Sequence, residues 1–83
     1  MRLHVQLFAR ARELAATATV VIDLPDAACV SDLRHALSTQ HPQLAPLLQR
    51  SALAVNGEFA DDTDSLPANA EIALLPPVSG GGE

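Results

Sequence analysis

The sequence predicts an α+β fold, a mixed sheet of four to five strands wrapped on one main helix. Three observations lead there. Strand-like alternation opens the chain at RLHVQLF and closes it at EIALLP, helical spacing occupies the middle, and an Asn-Gly step follows a third apolar run. With 83 residues there is room for a single core, and a hydrophobic content of 48% is enough to build it.

The elements follow in order. Residues 2–8 place Leu3, Val5 and Leu7 on one face and Arg2, His4 and Gln6 on the other, the period of a half-buried strand. The stretch ARARELAATA is polar, short and helix-tolerant. TVVIDLP after it is a second β-rich run that stops at Pro25, so the two strands form a wide hairpin. In ACVSDLRHALSTQHP, Val30, Leu33, Ala36 and Leu37 recur at helical spacing. Asp32 sits where the positive end of a helix dipole favours a carboxylate, and Pro42 disfavours helix at His41. Cys29 stands where Ser or Thr would make the better cap. QLAPLLQR reads as a turn or short helix. LAVNGEF reads as a strand, a type I′ turn at Asn56-Gly57 and the start of another strand. ADDTDSLPANA is an acidic connection to the final strand, which Pro76 closes. This order is that of the β-grasp, or ubiquitin-like, fold: a domain over residues 1–75 and an extended tail over 76–83.

Composition narrows the partners. Ten acidic residues face five basic ones, Arg2, Arg10, Arg12, Arg34 and Arg50, for a net charge of -5. Such a chain repels phosphate backbones and anionic membranes and suits a neutral or basic partner. Phe8 and Phe59 are the only aromatics, too few for a base-stacking platform, so no nucleic-acid partner is expected. The absence of lysine rules out self-linked chains through lysine side chains. A single cysteine forbids an internal disulfide and fits a reducing compartment. The opening residues resemble neither a signal peptide nor a membrane span, which makes the cytoplasm the expected location.

Candidate reactive groups in the body are sparse. Cys29 at a helix amino terminus has the setting of an activated thiol, but a lone small thiol between Ala28 and Val30 is better read as a small buried hydrophobe. His4, His35 and His41 fall on a strand, a helix and a helix end without a second ligand at metal-binding spacing, so no metal site is expected. Asp61, Asp62 and Asp64 lack the glycine and distal glutamate of a calcium loop and read as a solvated loop facing a basic partner. With no nucleophile elbow, phosphate loop or dinucleotide fingerprint, the chain is not expected to be an enzyme on its own, nor to bind a cofactor.

Attention passes to the tail, PPVSGGGE. A glycine-rich end is ordinarily a frayed terminus. Here, however, a well-specified strand leads into two prolines, which hold the backbone extended, and then into glycines, which have no side chain to obstruct entry into a narrow channel. That order presents a chain terminus to another protein's active site.

LFARARELA, LAVNGEF and EIALLPPVSGG together resemble the small-subunit family of molybdopterin synthase, the β-grasp sulfur carriers of molybdenum cofactor biosynthesis, in register over residues 3–81. The resemblance implies a carrier whose catalytic pocket lies in the synthase large subunit, within a heterotetramer. An adenylating enzyme similar to ubiquitin-activating enzymes would use ATP to activate the terminal glycine. A sulfurtransferase or cysteine desulfurase would supply the sulfur that replaces AMP, and the resulting thiocarboxylate would pass it to cyclic pyranopterin monophosphate. By the same resemblance Gly81 bears the adenylate and thiocarboxylate, while Pro76, Pro77, Val78, Ser79 and Gly80 line the insertion. Phe8, Phe59 and Leu75 match the family's apolar docking positions, the alternative for the two phenylalanines being core filling. Arg12 matches an Arg-Glu step and would pair with an acid on the partner; a solvated surface arginine is the alternative reading.

Two departures stand out. Asn69-Ala70 replaces a Gly-Asp turn, and Asn tolerates the left-handed backbone needed there. Gly82 and Glu83 follow the second glycine, so Gly81 is an amide as encoded and becomes an adenylation substrate only if they are removed. The rival readings are a sulfur carrier for thiamin, cysteine or transfer-RNA thiolation, and a ubiquitin-like protein modifier.

Overall fold

The computed structural model describes residues 1–77; the expectations for Val78, Ser79, Gly80, Gly81, Gly82 and Glu83 concern residues outside that range. Its elements are β1 (Arg2–Leu7), α1 (Ala9–Ala15), β2 (Thr19–Asp23), α2 (Val30–Gln40), a 3₁₀ turn (Pro42–Leu44), α3 (Ala45–Leu48), β3 (Ala52–Val55), β4 (Glu58–Phe59) and β5 (Glu71–Leu75). The five strands form one sheet in the order β2-β1-β5-β3-β4. Only β1 and β5 pair in parallel; the remaining three pairs are antiparallel. This is the mixed sheet that the sequence predicts, with α2 as its main helix.

Alternation sets the inner face. Leu7 lies opposite Leu74, which lies opposite Leu53, and Val5 sits between Val20 and Ile72. These side chains are buried, and Val30, Leu33 and Leu37 of α2 join them in one core cluster. Neither phenylalanine contributes; leucine, isoleucine, valine and alanine fill the core. Among the described residues no helix is long and apolar enough to cross a membrane.

The wide hairpin of β1 and β2 forms, from Arg2↔Asp23 to Gln6↔Thr19, but its connection holds the helix α1. Ala, Arg, Glu and Leu are strong helix formers, and Ala11 is buried while Leu14 and Ala15 pack partly against the core. So narrow an apolar stripe leaves little helical signal in the sequence. The stretch from Pro42 to Leu48 is both a 3₁₀ turn and a short helix, and it buries Leu44 and Leu48.

Cys29 differs from the buried hydrophobe expected of it. It is half-buried and caps α2: its backbone N–H donates to Asp32 Oδ2 at 2.9 Å, and its Sγ lies 3.0 Å from Ser31 Oγ. A thiol is a poor acceptor, so the first turn of α2 finds other partners. Val30 N–H donates to the Asp64 carbonyl and Ser31 N–H to the Asp62 carbonyl, each at 2.9 Å. The acidic loop is therefore anchored as well as exposed. Arg34 holds it further, donating from Nε and Nη2 to Asp62 Oδ1 at 3.2 and 3.1 Å and from Nη1 to the carbonyls of Ser51 and Leu48.

Candidate functional site

The site is the outer face of the sheet, opposite the helices. Because Leu3, Val5 and Leu7 face the core, Gln6 faces out. Phe8, in extended backbone at φ -125°, continues the alternation onto the same side. Phe8 is 41% exposed. Leu74 faces in, so Leu75 faces out; it is half-buried, one register step beyond the Leu7↔Leu74 pair and opposite Ala52.

Phe59 reaches this face through a tight turn. Asn56 and Gly57 adopt φ of 52° and 85°, the two left-handed residues of a type I′ hairpin. The turn is tied to β5, because Asn56 Oδ1 accepts from Glu71 N–H at 2.9 Å and Asn56 N–H donates to the Glu71 carbonyl at 2.8 Å. A two-residue loop then fixes Ala54 opposite Phe59. Leu53 points inward, so Ala54 and Phe59 point outward, and Phe59 is 77% exposed. Asn69, at φ 60°, takes the left-handed backbone expected before the last strand.

The outer rows can now be written down. Thr19, Gln6, Ala73, Ala54 and Phe59 form one row across all five strands; Leu75 and Ala52 begin the next, with Phe8 beside them. The other end of the face is polar: Arg2 pairs with Asp23 at 3.1 Å, and His4 stands between Val21 and Glu71. Three candidate docking side chains therefore rim a low floor of alanines at the end of β5 from which Pro76 and Pro77, both half-buried, depart. Exposure decides against core filling for both phenylalanines.

Arg12 is exposed on α1 and makes no ion pair among the described residues, whereas Arg10 contacts Glu13 at 3.5 Å. Ala52, Ala54 and Ala73 were not singled out in the sequence, although their parity opposite Leu53 and Leu74 marks them as outer-face residues. Among the described residues no cluster of three or more His, Cys, Asp or Glu side chains is arranged to hold a metal ion. Exposed apolar side chains gathered beside an outgoing strand end are the kind of surface that marks an interaction site.

The ThiS family model matches residues 5–81. The chain is 40% identical over 78 residues to the molybdopterin synthase sulfur carrier subunit of Dictyostelium discoideum, covering 90% of this chain and 91% of that one. The crystal structure of small archaeal modifier protein 1 from Haloferax volcanii superposes with a TM-score of 0.86 at 34% identity, over 98% of this chain and 100% of that one. A chain from the complex of subunits 1 and 2 of the Helicobacter pylori molybdopterin-converting factor superposes with a TM-score of 0.69 at 27% identity, over 98% and 100% of the two chains. With the sheet order and these matches in agreement, the chain belongs to the ThiS family and has its ubiquitin-like β-grasp fold.

Proposed function

We propose that this chain is the sulfur carrier subunit of a molybdopterin synthase and that Gly81 is the residue that carries the sulfur. The observation that supports this most strongly is the 40% identity, over 90% of the chain, to a sulfur carrier subunit of that enzyme. The outer face adds a physical reason: Phe8, Phe59 and Leu75 give a partner subunit an apolar foothold at the end of the sheet that leads into the tail.

The chemistry requires a free carboxylate. Gly81 precedes Gly82, so hydrolysis of that peptide bond comes first, and the family match ending at residue 81 is consistent with it. An adenylating enzyme then joins the carboxylate to the α-phosphate of ATP with loss of pyrophosphate, making a good electrophile of a poor one. The terminal sulfur of a persulfide on a sulfurtransferase or cysteine desulfurase attacks the acyl carbon and displaces AMP, leaving an acyl disulfide to the donor, and a thiol reductant cleaves its S–S bond to release the thiocarboxylate. The thiocarboxylate is a nucleophile, ionised at neutral pH, and it delivers sulfur to the pterin precursor in the large subunit's pocket. This chain contributes the docking face and the carrying terminus, and the pocket belongs to the partner.

The test is reconstitution with an adenylating enzyme, ATP, a persulfide sulfur donor, a thiol reductant, the large subunit and cyclic pyranopterin monophosphate. A chain ending at Gly81 should gain the mass of one oxygen exchanged for sulfur and support product formation, while the 83-residue chain should not. Equal competence of both chains would overturn the cleavage step; no sulfur uptake by either would overturn the carrier role.

The likeness to small archaeal modifier protein 1 favours a second reading, conjugation to other proteins through Gly81. Higher-mass conjugates in a lysate would support it. They would not be self-linked through lysine, since the chain has none.

A further inference from the structure

Where the β3–β4 hairpin meets the loop that follows it, the surface folds into a groove of about 430 Å3. Val55, Ala60 and Pro67 are apolar residues of its lining, with Phe59 at its border, and Glu58 and Asp64 are its two acidic lining residues. No arginine lines it: Arg34, the cation that anchors the adjoining loop, is engaged with Asp62, Ser51 and Leu48. Glu58 makes no ion pair among the described residues. Asp64 uses Oδ2 to accept from Asp61 N–H at 2.9 Å, and Oδ1 remains for another donor.

We propose that this groove receives an arginine or lysine side chain from the protein that docks on the Phe8, Leu75 and Phe59 face; the inference rests on the carrier reading, in which that protein is the synthase large subunit. The chemistry of the groove selects this occupant. An aliphatic stem matches Val55, Ala60 and Pro67, and long basic side chains bury such stems while keeping the head polar. The head meets two carboxylates, and charge-assisted hydrogen bonds are the stronger kind. Charge complementarity points the same way: this chain carries a net charge of -5, and a partner that holds a phosphorylated pterin needs positive charge around its site. Phe59 belongs to both the groove and the outer face, so one bound partner covers both. Glu58 is then a specificity residue, fixing the register of the partner along the β4 edge.

The experiment measures binding of the chain ending at Gly81 to the molybdopterin synthase large subunit at two ionic strengths. Glu58→Gln is expected to weaken binding about fivefold, and Glu58→Lys about thirtyfold with a shallower salt dependence. Asp26→Lys makes the same change in net charge from the exposed loop after β2, at the opposite edge of the sheet, and is expected to stay within about twofold. Matched thermal midpoints confirm that the variants fold. If Asp26→Lys weakens binding as much as Glu58→Lys, general charge attraction replaces the groove and the inference fails. It also fails, leaving the carrier reading intact, if the unsubstituted chain binds and both Glu58 variants bind equally well. Should the unsubstituted chain not bind the large subunit at all, the carrier reading fails and the groove's assigned occupant goes with it.

Discussion

Phe59 and Leu53 are close in sequence and opposite in purpose, and parity decides which is which. Leu53 faces the core and is buried, while Phe59 faces out. Phe59→Ala should change stability by no more than about 0.5 kcal/mol yet weaken binding of the large subunit by about tenfold or more, since a buried aromatic anchor dominates an interface. Leu53→Ala should cost about 2 to 5 kcal/mol of folding stability through the cavity it leaves. Urea denaturation and a binding titration on the two variants separate these effects; equal stability losses would refute the division of roles. Asp32 carries a different kind of residue-level prediction. The hydrogen bond from Cys29 N–H, then that from the Cys29 thiol, then the charge of His35 hold its carboxyl below the usual carboxylate value. Its pKa is lower folded than unfolded, so it stabilises the fold above an unfolded value of about 3.9, and that contribution fades as pH falls through the folded value. Asp32→Asn should therefore be less stable than the parent at pH 7 and converge with it in strong acid, as read from urea midpoints at the two pH values.

The elements of the sheet were legible because period two is a strong signal when one face is buried. Leu3, Val5 and Leu7 fixed β1, and Asn56-Gly57 fixed both the turn and the register that turns Phe59 outward. The same parity could have settled the exposure of both phenylalanines from the sequence: Phe8 is in step with Gln6, and Phe59 sits opposite Ala54, next to inward Leu53. What stayed hidden depends on contacts between segments distant in sequence. Nothing local announces that the carbonyls of Asp62 and Asp64 close the first turn of α2, or that Arg34 reaches Ser51 and Asp62 from the middle of a helix. The loop and helix α1 was hidden for another reason, its single fully buried alanine. That helix ends on Ala16, in the left-handed conformation at φ 58° with its N–H donating to the Glu13 carbonyl. Glycine takes this backbone without a Cβ penalty, so Ala16→Gly should stabilise the chain by about 0.5 to 1 kcal/mol. A lower thermal midpoint for Ala16→Gly would contradict the strain assigned to that cap.

At the scale of the molecule, the fold separates holding from carrying. Every residue of the described core lies between Leu3 and Leu74, and the candidate docking residues Phe8, Phe59 and Leu75 sit on the outer face of the same sheet. The carrying group, by the proposed function, is Gly81. A chain ending at Pro77 should therefore unfold within about 0.5 kcal/mol of the parent, the range of surface changes away from a core. It should also compete with the Gly81-terminated chain for the large subunit while accepting no sulfur and supporting no product. Denaturation, competition binding and a sulfur-transfer assay on that one truncated chain distinguish the alternatives. Loss of folding would mean that the tail is part of the core. Loss of all competition would mean that affinity resides in the tail and not in the sheet face, which would reverse the roles assigned to Phe8, Phe59 and Leu75. Retained competition without transfer is the outcome that a rigid handle with a separate reactive end requires.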